Sequence, residues 1–433
     1  MKFKYKTLIP LALTAALLFT ACGEQQSASA STTGISSADA PAQTAALSAT
    51  VSETEDAASS ERFSKRDLSG DYDASEAVAI TLTGNGAQTD SDAVQISGST
   101  VTITAAGTYI LTGALDDGSV IVDANKEDKV QLVLSGVTIH SETFTAIYVK
   151  QADKVFLTLA EGSVNTISNG GTFRQIDDNN VDAVIFSKDD LTLNGSGTLQ
   201  ISSPGGHGIV GKDEVTITGG TYQIAADGCA ISGKDSIAIS GGSFVLAANQ
   251  DGLHAENDDD DTLGNIYISG GEFAIQVSDD AIHATYQLQI DGGSFDITAA
   301  EGLEATWIQI NDGIINIQAS DDGINAGRKS NACTPTVEFN GGTVTIVMGA
   351  GDTDGVDSNG NIIVNGGTIS VSGQSTFDYD GTAQYNGGTI IVNGTVTNSI
   401  PNQMMGGGMR GDMGGMNGGM DGGMRSGKGG FRG

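Results

Sequence analysis

Apolar and polar residues alternate in short runs along most of the chain. Examples are Val215-Thr216-Ile217, Ile237-Ala238-Ile239, Ile266-Tyr267-Ile268, Leu288-Gln289-Ile290, Ile308-Gln309-Ile310 and Ile362-Ile363-Val364. A period of two built from β-branched residues predicts strands with one face buried. Each run is followed by a polar-Gly-Gly-Thr/Ser turn, as at Thr218-Gly219-Gly220-Thr221, Ser240-Gly241-Gly242-Ser243 and Asn340-Gly341-Gly342-Thr343, with Asn311-Asp312-Gly313 as a degenerate copy. The glycines are expected to supply positive φ at the corner. A second alternating run follows, such as Tyr222-Gln223-Ile224 or Phe273-Ala274-Ile275, and then a third segment. That segment reads Asp251-Gly252-Leu253-His254-Ala255, Asp280-Ala281-Ile282-His283-Ala284, Glu301-Gly302-Leu303-Glu304-Ala305, Asp322-Gly323-Ile324-Asn325-Ala326 and Asp354-Gly355-Val356-Asp357.

Recurrence of such a unit every 20 to 30 residues predicts an all-β protein. The expected architecture is a right-handed parallel β-helix, a β-solenoid with three short strands per coil. About eight coils between 212 and 400, at ~4.8 Å each, make roughly 38 Å of stack. The segment 71–211 is strand-rich with a looser repeat and is read as the N-terminal cap and first coils, because irregular end coils hide raw strand edges. On this reading Cys229 takes the inward slot of Leu253, Ile282 and Ile324.

The ends differ from this middle. Residues 1–21 pair a basic start, Met1 to Lys6, with the apolar run Leu8 to Phe19, too short to span a membrane comfortably. The run closes on Leu18-Phe19-Thr20-Ala21-Cys22, which resembles a bacterial lipobox and implies an exported protein lipidated at Cys22, held at the cell surface by that anchor alone. Residues 22–70 are Ser-, Thr- and Ala-rich and are read as a disordered tether. Residues 401–433 form a Gly/Met-rich tail, where seven methionines from Met404 to Met424 offer soft Cu(I) ligands as the alternative to a flexible tail.

Composition narrows the function. The 433 residues carry 20 Lys+Arg against 53 Asp+Glu, a net charge of −33, so a nucleic-acid partner is excluded by repulsion. Three cysteines do not build a disulfide scaffold. From 212 to 400 the only Lys and Arg are Lys212, Lys234, Arg328 and Lys329. In-register stacking makes Asp280, Glu301 and Asp322 vertical neighbours. Two carboxylates ~4.8 Å apart repel by about 1 kcal/mol in water and by roughly 3 to 4 kcal/mol at an effective dielectric of 20. Asp279, Asp280, Glu301, Glu304, Asp321, Asp322, Asn325, Asp354 and Asp357 are therefore candidate ligands for Ca²⁺, which takes six to eight oxygens; a solvated acidic face is the competing reading. The acidic run Glu256 to Asp261 is either a further site or a loop. His254 and His283 align with Glu304, Asn325 and Asp357, and zinc there is disfavoured for want of a third His or a Cys. Tyr286 and Trp307 end equivalent segments, where they either stack to hold a sugar ring or pack, and His254 and His283 join them as candidate carbohydrate contacts.

The stretch Gly107-Thr108-Tyr109-Ile110-Leu111-Thr112-Gly113-Ala114-Leu115-Asp116-Asp117-Gly118, the run Val130 to Ile139 and the later Glu301-Gly302-Leu303-Glu304 and Asp321-Asp322-Gly323-Ile324-Asn325-Ala326 motifs resemble the bacterial carbohydrate-binding β-solenoid family. That family is known for binding cellulose and polygalacturonate. The resemblance covers about 70 to 400 and implies a pectate-lyase-like β-helix with bound Ca²⁺ and a polysaccharide ligand. Ala281 and Asp312 replace glycines of its pattern. The expected function is a monomeric, surface-tethered binding protein for plant-type polysaccharide. The alternatives are a Ca²⁺-dependent pectate-type lyase, with Arg328 or Lys329 as base, and an adhesive surface rod.

Overall fold

The computed structural model describes residues 62–177, 179–351 and 353–402. Cys22, the signal-like segment and the Met-rich tail lie outside the described residues. Within them, 25 strands form one sheet and 13 another, and nearly all pairings are parallel. No helix among the described residues is long and apolar enough to cross a membrane.

Each repeat places its strands beside those of the next in three ladders. In the first, Glu214–Ile217 pairs with Ser236–Ile239, which pairs with Asn265–Ile268. In the second, Thr221–Ala226, Ser243–Ala248 and Glu272–Val277 follow one another. The third ladder carries Ile231–Gly233, Leu253–Ala255, Asp280–Ala284, Glu301–Ala305 and Ile324–Ala326. Pairing continues unbroken from Asp190–Gly195 to Glu214–Ile217, so the loose and the regular repeats share one set of ladders. Antiparallel pairs close both ends: Val94–Ser97 with Thr100–Ile103, and Thr389–Val392 with Thr395–Thr397. Such hairpins blunt edges that would otherwise recruit other strands.

The alternation in sequence explains the burial. In Glu272–Val277 the side chains of Phe273, Ile275 and Val277 are buried while Glu272, Ala274 and Gln276 are exposed. Register turns equal positions into stacks. Tyr222, Phe244, Phe273 and Phe295 lie face on face, with ring centroids 5.0, 4.6 and 4.6 Å apart. The second glycine of each turn has positive φ, from Gly220 at +98° to Gly388 at +81°. Gly313 keeps this geometry at +113°, and Asp312 fills the first position, where the equivalent glycines have no positive φ. That is why the degenerate turn still turns.

The boundary expected at residue 70 falls earlier. Residues 62–70 are ordered against the first ladder rather than part of a tether. Ser64 caps the short helix Lys65–Leu68: its hydroxyl accepts the Asp67 N–H, and the Asp67 carboxylate accepts the Ser64 N–H. Asp67 then pairs with Lys154 (2.9 Å) and accepts the Thr192 hydroxyl (2.6 Å). Asn194 donates to the Ser69 carbonyl. Phe63 packs on Tyr267, with the Arg62 guanidinium 4.4 Å from the same ring. This strap crosses the outward face from Lys154–Leu159 to Asn265–Ile268.

Candidate functional site

The third ladder sorts its polar side chains into two columns. Ile231, Leu253, Ile282, Leu303, Ile324, Val356 and Phe377 share the buried inward position. One residue later comes the column Ser232, His254, His283, Glu304, Asn325, Asp357, Asp378. Two residues before the inward position lies the other, His207, Cys229, Asp251, Asp280, Glu301, Asp322, Asp354, linked by backbone hydrogen bonds one residue further along, such as Gly252 N–H to Asp280 O and Gly302 N–H to Asp322 O. Cys229 therefore does not occupy the Leu253 slot. Ile231 does, and Cys229 stands at the head of the acid column. Its Sγ is 3.6 Å from Asp251 Oδ2, and burial followed by that carboxylate pushes the thiol up to about 12.

Part of the compensation for the stacked acids is internal. His254 Nδ1 lies 2.6 Å from Asp251 Oδ2. His283 Nδ1 lies 2.8 Å from Asp280 Oδ2 and 2.7 Å from Glu304 Oε2, and Lys329 Nζ is 2.7 Å from Glu304 Oε1. The two imidazoles stack at 4.9 Å. Burial alone would discharge His283, but its bonds to Asp280 and Glu304 outweigh burial and hold it protonated. Glu304 is likewise held ionised against burial by His283 and Lys329. Asp280 is raised by burial and by Glu304 beside it, since one N–H cannot serve two acids at once. Of the two histidines, both candidate sugar contacts in the sequence, His283 is thus a counter-ion for the ladder and His254 a hydrogen-bond partner of Asp251.

Beyond Glu304 the donors change. Asn325 donates to Glu301 Oε2 (3.0 Å) and Glu304 Oε1 (3.4 Å), and among the described residues the ion pairs of this face end at Lys329. Burial, followed by neighbouring carboxylates, pushes Glu301 up to about 8, Asp322 to about 6 and Asp357 to about 7. Asp378, opposite Asp357, has a buried Oδ1 with no hydrogen-bond partner among the described residues. Asp354 presents its N–H to Asp322 Oδ1. Asp279 and Asp321 are exposed, although Asp279 brings an oxygen within 4.8 Å of Asp251 and Asp280. This end offers oxygen donors alone, the donor type of a hard cation, whereas the stretch before it mixes imidazole nitrogen among its carboxylates.

Other expectations fare differently. Trp307 pairs with Gln287 and Thr336, with Tyr286 one residue out of register, and the two rings make no contact among the described residues. Both are half-buried. Arg328 and Lys329 are both exposed, and Glu304 raises the Lys329 ammonium against its partial desolvation, the opposite of what a base requires. The Glu256 to Asp261 run folds as a turn: Asn257 Oδ1 accepts the N–H groups of Asp259 and Asp260, and Lys234 pairs with Asp259. Sequence reading missed His207 and Cys229 as column members. The signal was present, because His207-Gly208-Ile209 and Cys229-Ala230-Ile231 have the form of Asp251-Gly252-Leu253 and Asp280-Ala281-Ile282.

Comparison with known proteins adds a family. Residues 97–353 match the family described as carbohydrate-binding domain-containing protein. The chain belongs to this family. A curated member from Acetivibrio thermocellus (strain ATCC 27405), carrying the same description, is 36% identical over 137 residues, which is 31% of this chain and 48% of that protein. The chain thus spans about half the length of this curated relative. A solved structure, of a polysaccharide lyase-like protein from C. thermocellum as a gadolinium derivative, is 23% identical and covers 72% of this chain and 98% of its own, with a TM-score of 0.36.

Proposed function

We propose that the chain is an extracellular, lipid-anchored, monomeric binding protein for plant-type polysaccharide, with Ca²⁺ held by its stacked carboxylates. The three ladders are read as a right-handed coil with three short strands per turn. Membership of a carbohydrate-binding family supports a polysaccharide ligand. The observation that carries the calcium reading is the oxygen-only end of the two columns, where Glu301, Asp322 and Asp357 are raised and Asp378 Oδ1 is buried with no partner among the described residues. Glu301, Asp322, Asn325, Asp357 and Asp378 would hold the ion, with Glu304 and Asp354 next to them. A bound Ca²⁺ supplies positive charge that both relieves the carboxylates and bridges to uronate on an acidic polysaccharide. A chain of net charge −33 needs such a bridge, because it repels polyuronate by itself.

The test is sedimentation of the full chain with insoluble cellulose and with calcium-gelled polygalacturonate, backed by titration against soluble oligogalacturonate. Binding to oligogalacturonate is expected with Ca²⁺ and is expected to vanish in chelator and in Asp357→Asn. Undiminished binding in chelator refutes bridging. Absence of binding to any glycan favours the adhesive-rod reading. Growth of ultraviolet absorbance from unsaturated uronide would reveal lyase activity.

A further inference from the structure

The face that ends in oxygen donors begins with sulfur and nitrogen. At its N-terminal end the ligand atoms of Cys229, Asp251 and His254 all lie within 4.8 Å of one another. They line a cleft of about 580 Å³ that is also bordered by His207, Glu256 and Asp279. We propose that Cys229, Asp251 and His254 form a separate metal site for a borderline divalent ion of the zinc class, with its fourth position open to the cleft.

Several independent features agree with that assignment. Bonds of about 2.3 Å to sulfur and about 2.1 Å to oxygen at a tetrahedral angle place the two atoms about 3.6 Å apart. Cys229 Sγ and Asp251 Oδ2 are 3.6 Å apart. His254 Nδ1 and Asp251 Oδ2, at 2.6 Å, share a proton. A metal replaces that proton and needs about 3.4 Å between them, a movement of under an ångström for two side chains at the cleft surface. The other ring nitrogen is already placed for this role. His254 Nε2 lies 3.3 Å from Glu256 Oε2, the carboxylate partner that fixes the tautomer of a metal-bound imidazole. The His207 ring accepts the Cys229 N–H at Nδ1 (2.9 Å) and so holds the thiol's backbone in position. Thiolate and imidazole select zinc-class ions over Ca²⁺, so this site stands independently of the calcium reading.

Co²⁺ is the probe, because a cobalt–thiolate bond produces a near-ultraviolet charge-transfer band that oxygen ligation does not. The experiment uses the full chain with Cys22→Ser and Cys333→Ser, so that Cys229 is the sole thiol. One equivalent of Co²⁺ is expected to give the band, Zn²⁺ to displace it, and excess Ca²⁺ to leave it in place. Cys229→Ser is expected to abolish the band. Glu256→Gln, a surface change that leaves all three ligands intact, is expected to weaken Zn²⁺ binding about 10- to 100-fold in competition titration. Circular dichroism confirms that each variant is folded, and His254→Gln provides a second ligand deletion should Cys229→Ser fail to fold. No band in the parent protein, a band that survives loss of Cys229 or His254, or displacement by Ca²⁺ would each overturn the proposal.

Discussion

At the residue scale, the columns of the third ladder join groups with opposed proton preferences. Glu301, Asp322 and Asp357 are raised by burial and by neighbouring carboxylates, so each stabilises the folded state fully below about pH 4 and loses that contribution as pH rises through about 6 to 8. His283, raised to about 10 by its two acids, contributes below about 6.5 and is lost as pH rises through about 10, in the same direction. In chelator the melting temperature is therefore expected to fall between pH 5 and pH 8. Asp357→Asn is expected to flatten part of the fall, and added Ca²⁺ to remove it. Thermal melts followed by circular dichroism at several pH values check this; a profile unaltered by Ca²⁺ would remove the metal from this end of the face. The Asp280–His283 and Asp251–His254 contacts were not legible because each joins residues three apart, which simple strand alternation assigns to opposite faces. Cys229 was misplaced by matching residue class, Cys to Leu, when the neighbouring Ala230-Ile231 fixes the register.

At the element scale, the repeat was readable because the strands of the second ladder alternate with a period of two and the turn before each carries a glycine pair, broken only at Asp312. The face-on-face ring stack was not readable from any one strand; it exists only once Tyr222, Phe244, Phe273 and Phe295 are brought into register. Phe273 sits between two rings and is nearly fully buried. Phe273→Ala is expected to cost about 3 to 5 kcal/mol, by lost transfer energy and by a cavity the rigid ladders cannot close. Urea unfolding measures it. A loss under 1 kcal/mol would mean that neighbouring coils collapse into the gap. Gly302 offers a different case, since a Cβ there would meet the Gly323 carbonyl oxygen at 2.3 Å. Gly302→Ala is expected to destabilise by about 1 to 3 kcal/mol through forced separation of the two coils, read from the shift in urea midpoint at constant slope.

At the scale of the whole described body, the strap from Arg62 to Ser69 ties repeats far apart in sequence, and its composition concealed it within Ser- and Ala-rich surroundings. Only Phe63 and Asp67 are buried there, too few for a hydrophobic pattern. Asp67→Ala would leave Lys154, whose side chain is 14% exposed, without its carboxylate and is expected to cost about 3 kcal/mol. Limited trypsin digestion at Arg66 should accelerate in parallel; unchanged cleavage would show that the strap holds by Phe63 instead. The first described residues, Arg62 and Phe63, lie against Tyr267 and not at the first strand. A force applied at Arg62 would consequently load the Phe63 and Asp67 contacts along the strap, across several repeats, before it reached the terminal hairpins. Pulled at that point, the body would resist by the combined strength of its side-on attachments, and the rate at which the strap detaches, rather than the rate at which the ladders separate, would set its mechanical lifetime.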